Sequence, residues 1–447
     1  MTRPILCLAL LAAACAPVGP DYVRPAAVLP AGYAEGDGAA IGEVAARRWW
    51  ESYGDGMLDG LVERGLTQNL DIAAALERIR GAEAALRATG ANAAVSGDAN
   101  AAWTRSDSEG AAMADTRSGG LSADLVIDLF GGLRRGRQSA AADLEAARAD
   151  AGTVRLAYLS ALVGAYVDAR YYQEALALSR QDIQLRRETL AMTEAKVAAG
   201  AATRYDQVLA RASVNGAEAE LPGLEASFLA QVHAIATLLG EPSKPLVAEM
   251  QAGRAQPRAH GGIATGIPAE LLRNRPDVRS AEQALIAATA DIGVAEAELL
   301  PSVTLGGTVS QSAVQSWSFG PSLSLPVLSQ GRLRANRDQA VSLARQAEID
   351  WRAAILGAVE DVETAHASWT RLRRETALRE TAVQSYAEAA RLSRGAYEAG
   401  DIELSDLIGD DQTLANARQS LAGSVRDLAV QWATVQVALG AGAYPSR

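Results

Sequence analysis

The densest group of chemistry-bearing side chains in this sequence is acidic. Asp401, Glu403, Asp406, Asp410 and Asp411 crowd into one short stretch. Brought together around an axis of assembly, such carboxylates would form rings that attract cations. A charge run at a helix turn can equally be a solvated face with no further duty. Two hundred residues upstream, the matching stretch keeps only Asp206, beside Arg204 and Arg211. No catalytic constellation accompanies the acids. His233, His260 and His366 are far apart, and neither zinc-ligand spacing nor a phosphate-binding loop occurs. The residues therefore point away from an enzyme and call for no cofactor and no metal.

The elements that must hold the acidic run are long helices. Leu162, Ala169, Leu176, Ile183, Leu190 and Val197 recur every seventh residue, as do Val362, Trp369, Thr376, Val383, Ala390 and Tyr397. Return arms keep the register, with Val214, Leu221, Phe228 and Ile235 answering to Leu414, Leu421, Leu428 and Val435. Gly200 answers to Gly400 at the turns, and Asp206 to Asp406. A register shared over this length is an internal duplication. A seven-residue period predicts helices that supercoil left-handedly around neighbours. Thr376 is the one polar member of its series. Ser139 to Ala199 spans about 60 residues, on the order of 90 Å at the helical rise. Pro222 is expected to kink its arm. An ordinary coiled coil or bundle would show the same heptads.

Between the helices the period changes to two. Val95, Ala99, Ala101 and Trp103 alternate with polar residues, and so do Leu121, Ala123, Leu125, Ile127 and Leu129 against Ser122, Asp124 and Asp128. The second repeat matches, with Val303, Leu305 and Val309, then Trp317, Phe319, Leu323, Leu325 and Val327. Each repeat thus carries one β-hairpin, about 94–129 and about 302–328. Strands of about 9–11 residues with one apolar and one polar face fit an outer-membrane barrel, although a half-buried soluble sheet alternates likewise. Four strands cannot close a barrel, whose minimum is about eight, and open edges are not tolerated in lipid. Spacing leaves open whether two or three copies assemble.

The totals agree with a helical, exported chain. Of 447 residues, 49% are hydrophobic but only 5% aromatic. A net charge of -11 argues against a nucleic-acid partner. Residues 1–14, with Arg3 ahead of an apolar run, are expected to be a signal peptide. Cys15 follows Ala12–Ala13–Ala14 and is the candidate lipidation site; Leu11 stands one place earlier than the lipobox leucine. The remaining expectations are an extended tether at 15–47, repeat 1 at 48–240 with long arms at 138–240, a linker at 241–266, repeat 2 at 267–440 with arms at 332–440, and a disordered tail at 441–447. One periodic helix is expected from Arg48 to about Thr89, with Trp49 and Trp50 as packing anchors.

Several motifs carry a resemblance. Trp49–Trp50 with Tyr53, Asp55, Leu58 and Asn69–Leu70–Asp71 resembles the opening of outer-membrane efflux lipoproteins. Ile267–Pro268–Ala269–Glu270–Leu271–Leu272, Arg275–Pro276–Asp277–Val278–Arg279–Ser280–Ala281–Glu282–Gln283 and Leu300–Pro301–Ser302–Val303–Thr304–Leu305 are closer still. The whole chain resembles the TolC-like outer membrane factors, in the lipoprotein (NodT-type) branch that serves RND efflux pumps. That resemblance implies a mainly α chain with transmembrane β: long antiparallel coiled-coil helices and one hairpin per repeat. It also implies a homotrimer forming a twelve-stranded β-barrel continued by an α-helical barrel, lipid-anchored in the cell outer membrane and reaching into the periplasm. The implied partners are a periplasmic adaptor protein, an inner-membrane RND pump and outer-membrane lipid. The implied function is passage of small molecules from periplasm to exterior. A type I secretion duct, or a lipid-tethered periplasmic scaffold, are the alternatives. In the family the tunnel narrows at the acidic run, so Asp406 matches a gate position and Asp410 neighbours the second, which falls on Gly409. Ile402 stands where the family's best-studied gate has an arginine. The turns at Gly200 and Gly400 are the implied adaptor-docking tips.

Overall fold

The computed structural model describes residues 17–27, 29–35, 38, 40–107, 109–110, 112–312 and 314–445. Cys15 and the expected signal peptide lie outside the described residues. The expected helix from Arg48 to Thr89 is instead three pieces: a 3-10 turn at Trp49–Tyr53, α1 at Gly56–Gln68 and α2 at Leu70–Arg87. The breaks have side-chain causes. Asp55 accepts from the Met57 N–H (3.0 Å) and starts α1. Asn69 is extended; its Oδ1 accepts from the Ile72 N–H (3.0 Å) and its Nδ2 donates to the Leu238 carbonyl (2.8 Å). Asp and Asn favour such caps because their short oxygens reach the free N–H groups of the first turn.

A short α3 (Ala91–Ala94) leads into β1 (Val95–Ser106) and β2 (Ala114–Ile127). Then come the long arm α4 (Gly132–Ala198), its return α5 (Arg204–Leu239), and a short α6 (Ser243–Met250) inside the inter-repeat segment. The second half follows with α7 (Leu271–Asn274), α8 (Pro276–Ala297), β3 (Ser302–Gln311), β4 (Gln315–Ser324), α9 (Gln330–Ala399) and α10 (Leu404–Ala438). α5 runs through Pro222 as one assigned helix. Asp128 is a helix residue in function and not a strand residue: its carboxylate accepts from the Leu133 and Arg134 N–H groups at the start of α4.

The chain packs as two compact units. One comprises the stretch before residue 29, 75–151 and 277–356; the other comprises 29–74, 152–276 and 357 onward. Each unit takes chain from both sequence repeats, so the repeat is a unit of sequence and not of packing.

The first unit holds the sheet, in the order β1-β2-β3-β4 and antiparallel throughout. Register puts Ala99, Leu121, Val309 and Trp317 in one row and Gly97, Ala123, Gly307 and Phe319 in the next, all on one face. The opposite face carries Asp98, Ser122, Thr308 and Ser318 in one row. There the hydroxyls pair across β3 and β4: Thr308 with Ser318 at 2.8 Å and Ser310 with Ser316 at 2.7 Å. Neither face is buried by a helix layer. Trp317 is 77% exposed, Phe319 70% and Leu323 72%. A half-buried soluble sheet would hide its apolar face, and this sheet does not. Among the described residues, the outer edges of β1 and β4 are unpaired. In the same unit Tyr22 and Arg24 of the N-terminal stretch donate to Glu282 at 2.6 to 3.0 Å.

The second unit is built on the heptad stripes. Leu162, Ala169, Leu176, Ile183, Val362, Trp369, Ala390 and Tyr397 are buried, as are Val214, Ile235, Leu414 and Val435 of the returns. Trp49 and Tyr53 are buried against Trp432, with ring centroids 6.0 and 5.4 Å apart, and Trp50 is buried edge-on to Trp49 at 5.9 Å. Thr376, the polar outlier, is buried because its hydroxyl is satisfied by the Leu372 and Ser424 carbonyls. Of the tail expected to be disordered, residues 441–444 are packed. Trp49 Nε1 donates to the Ala441 carbonyl (3.0 Å), Arg155 Nε to the Gly442 carbonyl (2.9 Å), and the Tyr444 N–H to the Ala45 carbonyl (2.9 Å). Among the described residues no helix is long and apolar enough to cross a membrane.

Candidate functional site: the paired helix turns

The two turns of the second unit share one construction. Gly200 (φ 73°) and Gly400 (φ 88°) take the left-handed conformation after α4 and α9, which glycine adopts without a Cβ clash. The Ala201 N–H reaches back to the Lys196 carbonyl (2.8 Å) and the Asp401 N–H to the Ala396 carbonyl (2.9 Å), closing each helix end in the same way. Nothing stands within 4 Å of where a Cβ would lie on either glycine. Beside the first turn, Tyr205 is 72% exposed.

The return helices also begin alike. The Thr203 N–H and hydroxyl both donate to Asp206 Oδ2 at 2.8 Å, and the Asp206 N–H donates to Thr203 Oγ1 at 3.2 Å. The Thr203 N–H, helped by the hydroxyl, holds the Asp206 carboxyl below the usual carboxylate range. In the second turn the Glu403 N–H donates to Asp406 Oδ2 at 3.4 Å. The correspondence of Asp206 and Asp406 thus has a local cause: each meets an N–H that a helix start leaves free.

The acidic run divides into four and one. Asp401, Glu403, Asp406 and Asp410 are exposed and form no ion pair among the described residues. Asp411 points the other way. It is buried, with Arg394 Nη2 at 3.2 Å, and burial raises its pKa against the pull of Arg394. Ile402 packs with Ile408, Leu190 and Met192 around Ala210, Tyr397, Leu404 and Leu407. It serves the apolar core of the tip and has no group with which to bridge. Gly409 leaves open space.

Sequence reasoning missed the seam that joins the two hairpins of helices. Ser179, Arg186 and Thr193 are spaced by seven on α4 and all are buried. Each reaches the other repeat. Gln419 Nε2 donates to Ser179 Oγ (3.0 Å), Arg186 Nη2 donates to Gln412 Oε1, and the Thr193 hydroxyl meets the Tyr397 hydroxyl at 3.1 Å. Gln412 and Gln419 are themselves one heptad apart on α10. Arg186 is held in place by Asp182 Oδ2 (2.7 Å) and Ser213 Oγ (2.6 Å). Below it, Lys196 Nζ donates to the Tyr397 carbonyl and sits 4.0 Å from that ring's centroid. A cavity of about 850 Å³ runs along this seam, with Arg186, Ser213, Asp411 and Gln412 in its wall. The signal was available: three residues after Leu176, Ile183 and Leu190, α4 carries a polar side chain where an apolar one is ordinary. Polar groups at such positions fix register at a cost in stability, so the seam is specific but separable.

A family model described as "Outer membrane efflux protein" matches residues 61–241 and 267–441. Nodulation protein T of Rhizobium leguminosarum bv. trifolii is 39% identical over 96% of this chain and 95% of its own. The pyoverdine export outer membrane protein OpmQ of Pseudomonas aeruginosa is 32% identical over 89% of this chain and 86% of its own. Among solved structures, the outer-membrane channel OprN superposes with a TM-score of 0.84 at 29% identity, over 95% of this chain and 99% of that one.

Proposed function

The chain belongs to the outer membrane efflux protein family, and we propose that it is the outer-membrane exit channel of a tripartite RND-type system, passing small molecules from periplasm to exterior. Three copies assemble, and the unpaired edges of β1 and β4 pair between neighbours to close a twelve-stranded barrel. The observation that carries this reading is the sheet itself: four strands, one exposed apolar face, one exposed polar face and two open edges. Lipid covers the apolar face, water fills the polar interior, and closure removes the edges that a bilayer does not tolerate.

Cys15 carries the lipid anchor, and Gly200 and Gly400 mark the surface that receives the adaptor's helices. Their uncovered turns and the exposed Tyr205 support that docking role. Asp406 and Asp410 line the periplasmic constriction. Four exposed, unpaired carboxylates on one tip, repeated around an axis, give rings of negative charge that favour cations. The inner-membrane pump supplies the energy.

Edge pairing is tested by cross-linking. The only cysteines of the chain are Cys7 and Cys15, so a panel of single cysteines on β1 combined with single cysteines on β4 reports contacts between copies. A ladder ending at three linked chains is expected; dimers alone, or no linkage across the panel, would refute the arrangement.

A further inference from the structure

The inter-repeat segment is fastened across the second unit at three points. Gln256 Nε2 donates to the Ala422 carbonyl (3.1 Å), Arg258 pairs with Glu380 (3.1 Å), and the His260 N–H donates to the Ser52 carbonyl (2.9 Å). Gly261, with φ 103°, and Gly262 follow the last anchor. Beneath this strap lies a cavity of about 360 Å³, walled by Arg258, Trp369, Arg373, Thr376, Leu428 and Trp432, among others. That volume lies within the range of small-molecule sites, about 300–1,000 Å³.

The wall is chemically one-sided. It holds two guanidiniums and two indoles and no carboxylate, in a chain of net charge -11. Arg258 is matched by Glu380. Arg373 is not matched: its guanidinium lies 5.0 Å from the centroid of the Trp369 ring and has no carboxylate partner among the described residues. Trp432 is 5% exposed, and its indole N–H meets no acceptor. The Thr376 hydroxyl proton is already shared by two carbonyls and is not a further unmet donor. The unmet groups are therefore both donors, and neither can accept. A buried donor without an acceptor is costly, and the Trp369 ring shares the wall with it.

We propose that this cavity binds a small aromatic carboxylate. Its ring lies against Trp369, Leu428 and Trp432, and its carboxylate accepts from Arg373 and from Trp432 Nε1. A cation finds no acid in the wall, and a neutral ring leaves both donors unmet. The proposal does not rest on the channel reading; the site stands on the strap and the wall alone.

The test is calorimetric titration of the full-length protein, purified in detergent, with 2-naphthoate, and with 2-naphthamide as the uncharged counterpart. Saturable binding of 2-naphthoate is expected, with the amide at least about tenfold weaker, the usual worth of one charge-assisted hydrogen bond. Arg373→Gln should weaken 2-naphthoate at least about tenfold and the amide, whose carbonyl accepts only a neutral bond, by much less. Trp432→Phe keeps an aromatic ring, removes the N–H, and should weaken 2-naphthoate several-fold. Arg373 is exposed, so its variant should retain wild-type circular dichroism and oligomer mass. Absence of saturable 2-naphthoate binding, equal binding of the amide, or wild-type affinity in either variant would overturn the proposal.

Discussion

Replacing Arg186 by methionine removes the centre of the polar seam while keeping an unbranched stem of comparable bulk. Three hydrogen bonds from the guanidinium are lost, to Asp182, Ser213 and Gln412. Each bond to a charged group contributes about 1.5–3 kcal/mol net. The cavity beside Arg186 lets water reach the abandoned partners, and the Asp182 side chain is already 16% exposed. The total loss is therefore expected near 2–3 kcal/mol rather than the ~3–5 kcal/mol of a sealed ion pair. Only the bond to Gln412 crosses from one hairpin of helices to the other, so about a third of the loss, ~1 kcal/mol, bears on their separation. That corresponds to roughly a fivefold shift toward the separated arrangement. Single-channel recording of the purified protein measures it as open probability. Arg186→Met and Gln412→Leu should each raise open probability, and the double variant should do little more than either single one, since both delete the same contact. Asp182→Asn leaves the Arg186–Gln412 bond in place and should have a smaller effect than either. Unchanged open probability in Arg186→Met, or effects that simply add in the double variant, would refute the seam as the joint that holds the turns together.

Three further outcomes are expected. Thr203→Ala should destabilise the start of α5 by about 1 kcal/mol, the ordinary worth of an N-cap side chain, seen as faster amide exchange in its first turn. Because the Asp206 carboxyl is held below the ordinary range, the cap is intact above that range and should be lost as pH falls through the lowered pKa; exchange protection that is flat with acidification would contradict this. Asp406→Asn should raise anion permeability relative to cation permeability in a planar bilayer, and unchanged selectivity would remove Asp406 from the constriction. Trp317→Lys places a charge on the exposed apolar face and should cost up to ~2–4 kcal/mol in membrane assembly, whereas Ser318→Lys on the opposite face should assemble normally; equal yields of the two in the membrane fraction would reverse the assignment of faces.

What was legible in the sequence was what periodicity controls. The heptad series coincide with buried stripes of α4 and α9, and the alternation at Val303, Leu305 and Val309 gives the observed strand faces, because side-chain direction follows backbone period. Local polar chemistry was less legible. Asp55 and Asn69 each break what looks like one continuous helix, since a capping side chain outweighs the apolar rhythm around it. Asp128 fits the strand alternation yet caps α4. Thr376 became intelligible only when the Leu372 and Ser424 carbonyls were seen beside its hydroxyl. The acidic run was visible, but its partition was not: Asp410 and Asp411 are neighbours in sequence, and one helical residue of rotation separates open solvent from Arg394. The seam of Ser179, Arg186 and Thr193 could be found from sequence only by asking which heptad positions carry the wrong polarity.

The central claim is that one chain supplies four of the strands around a shared aqueous pore. Native mass spectrometry of the protein in detergent, paired with conductance of the same preparation in a planar bilayer, tests it most directly. The account predicts an assembly of three chains and stable, water-filled conductance. A monomer that extracts without detergent and never conducts would contradict it.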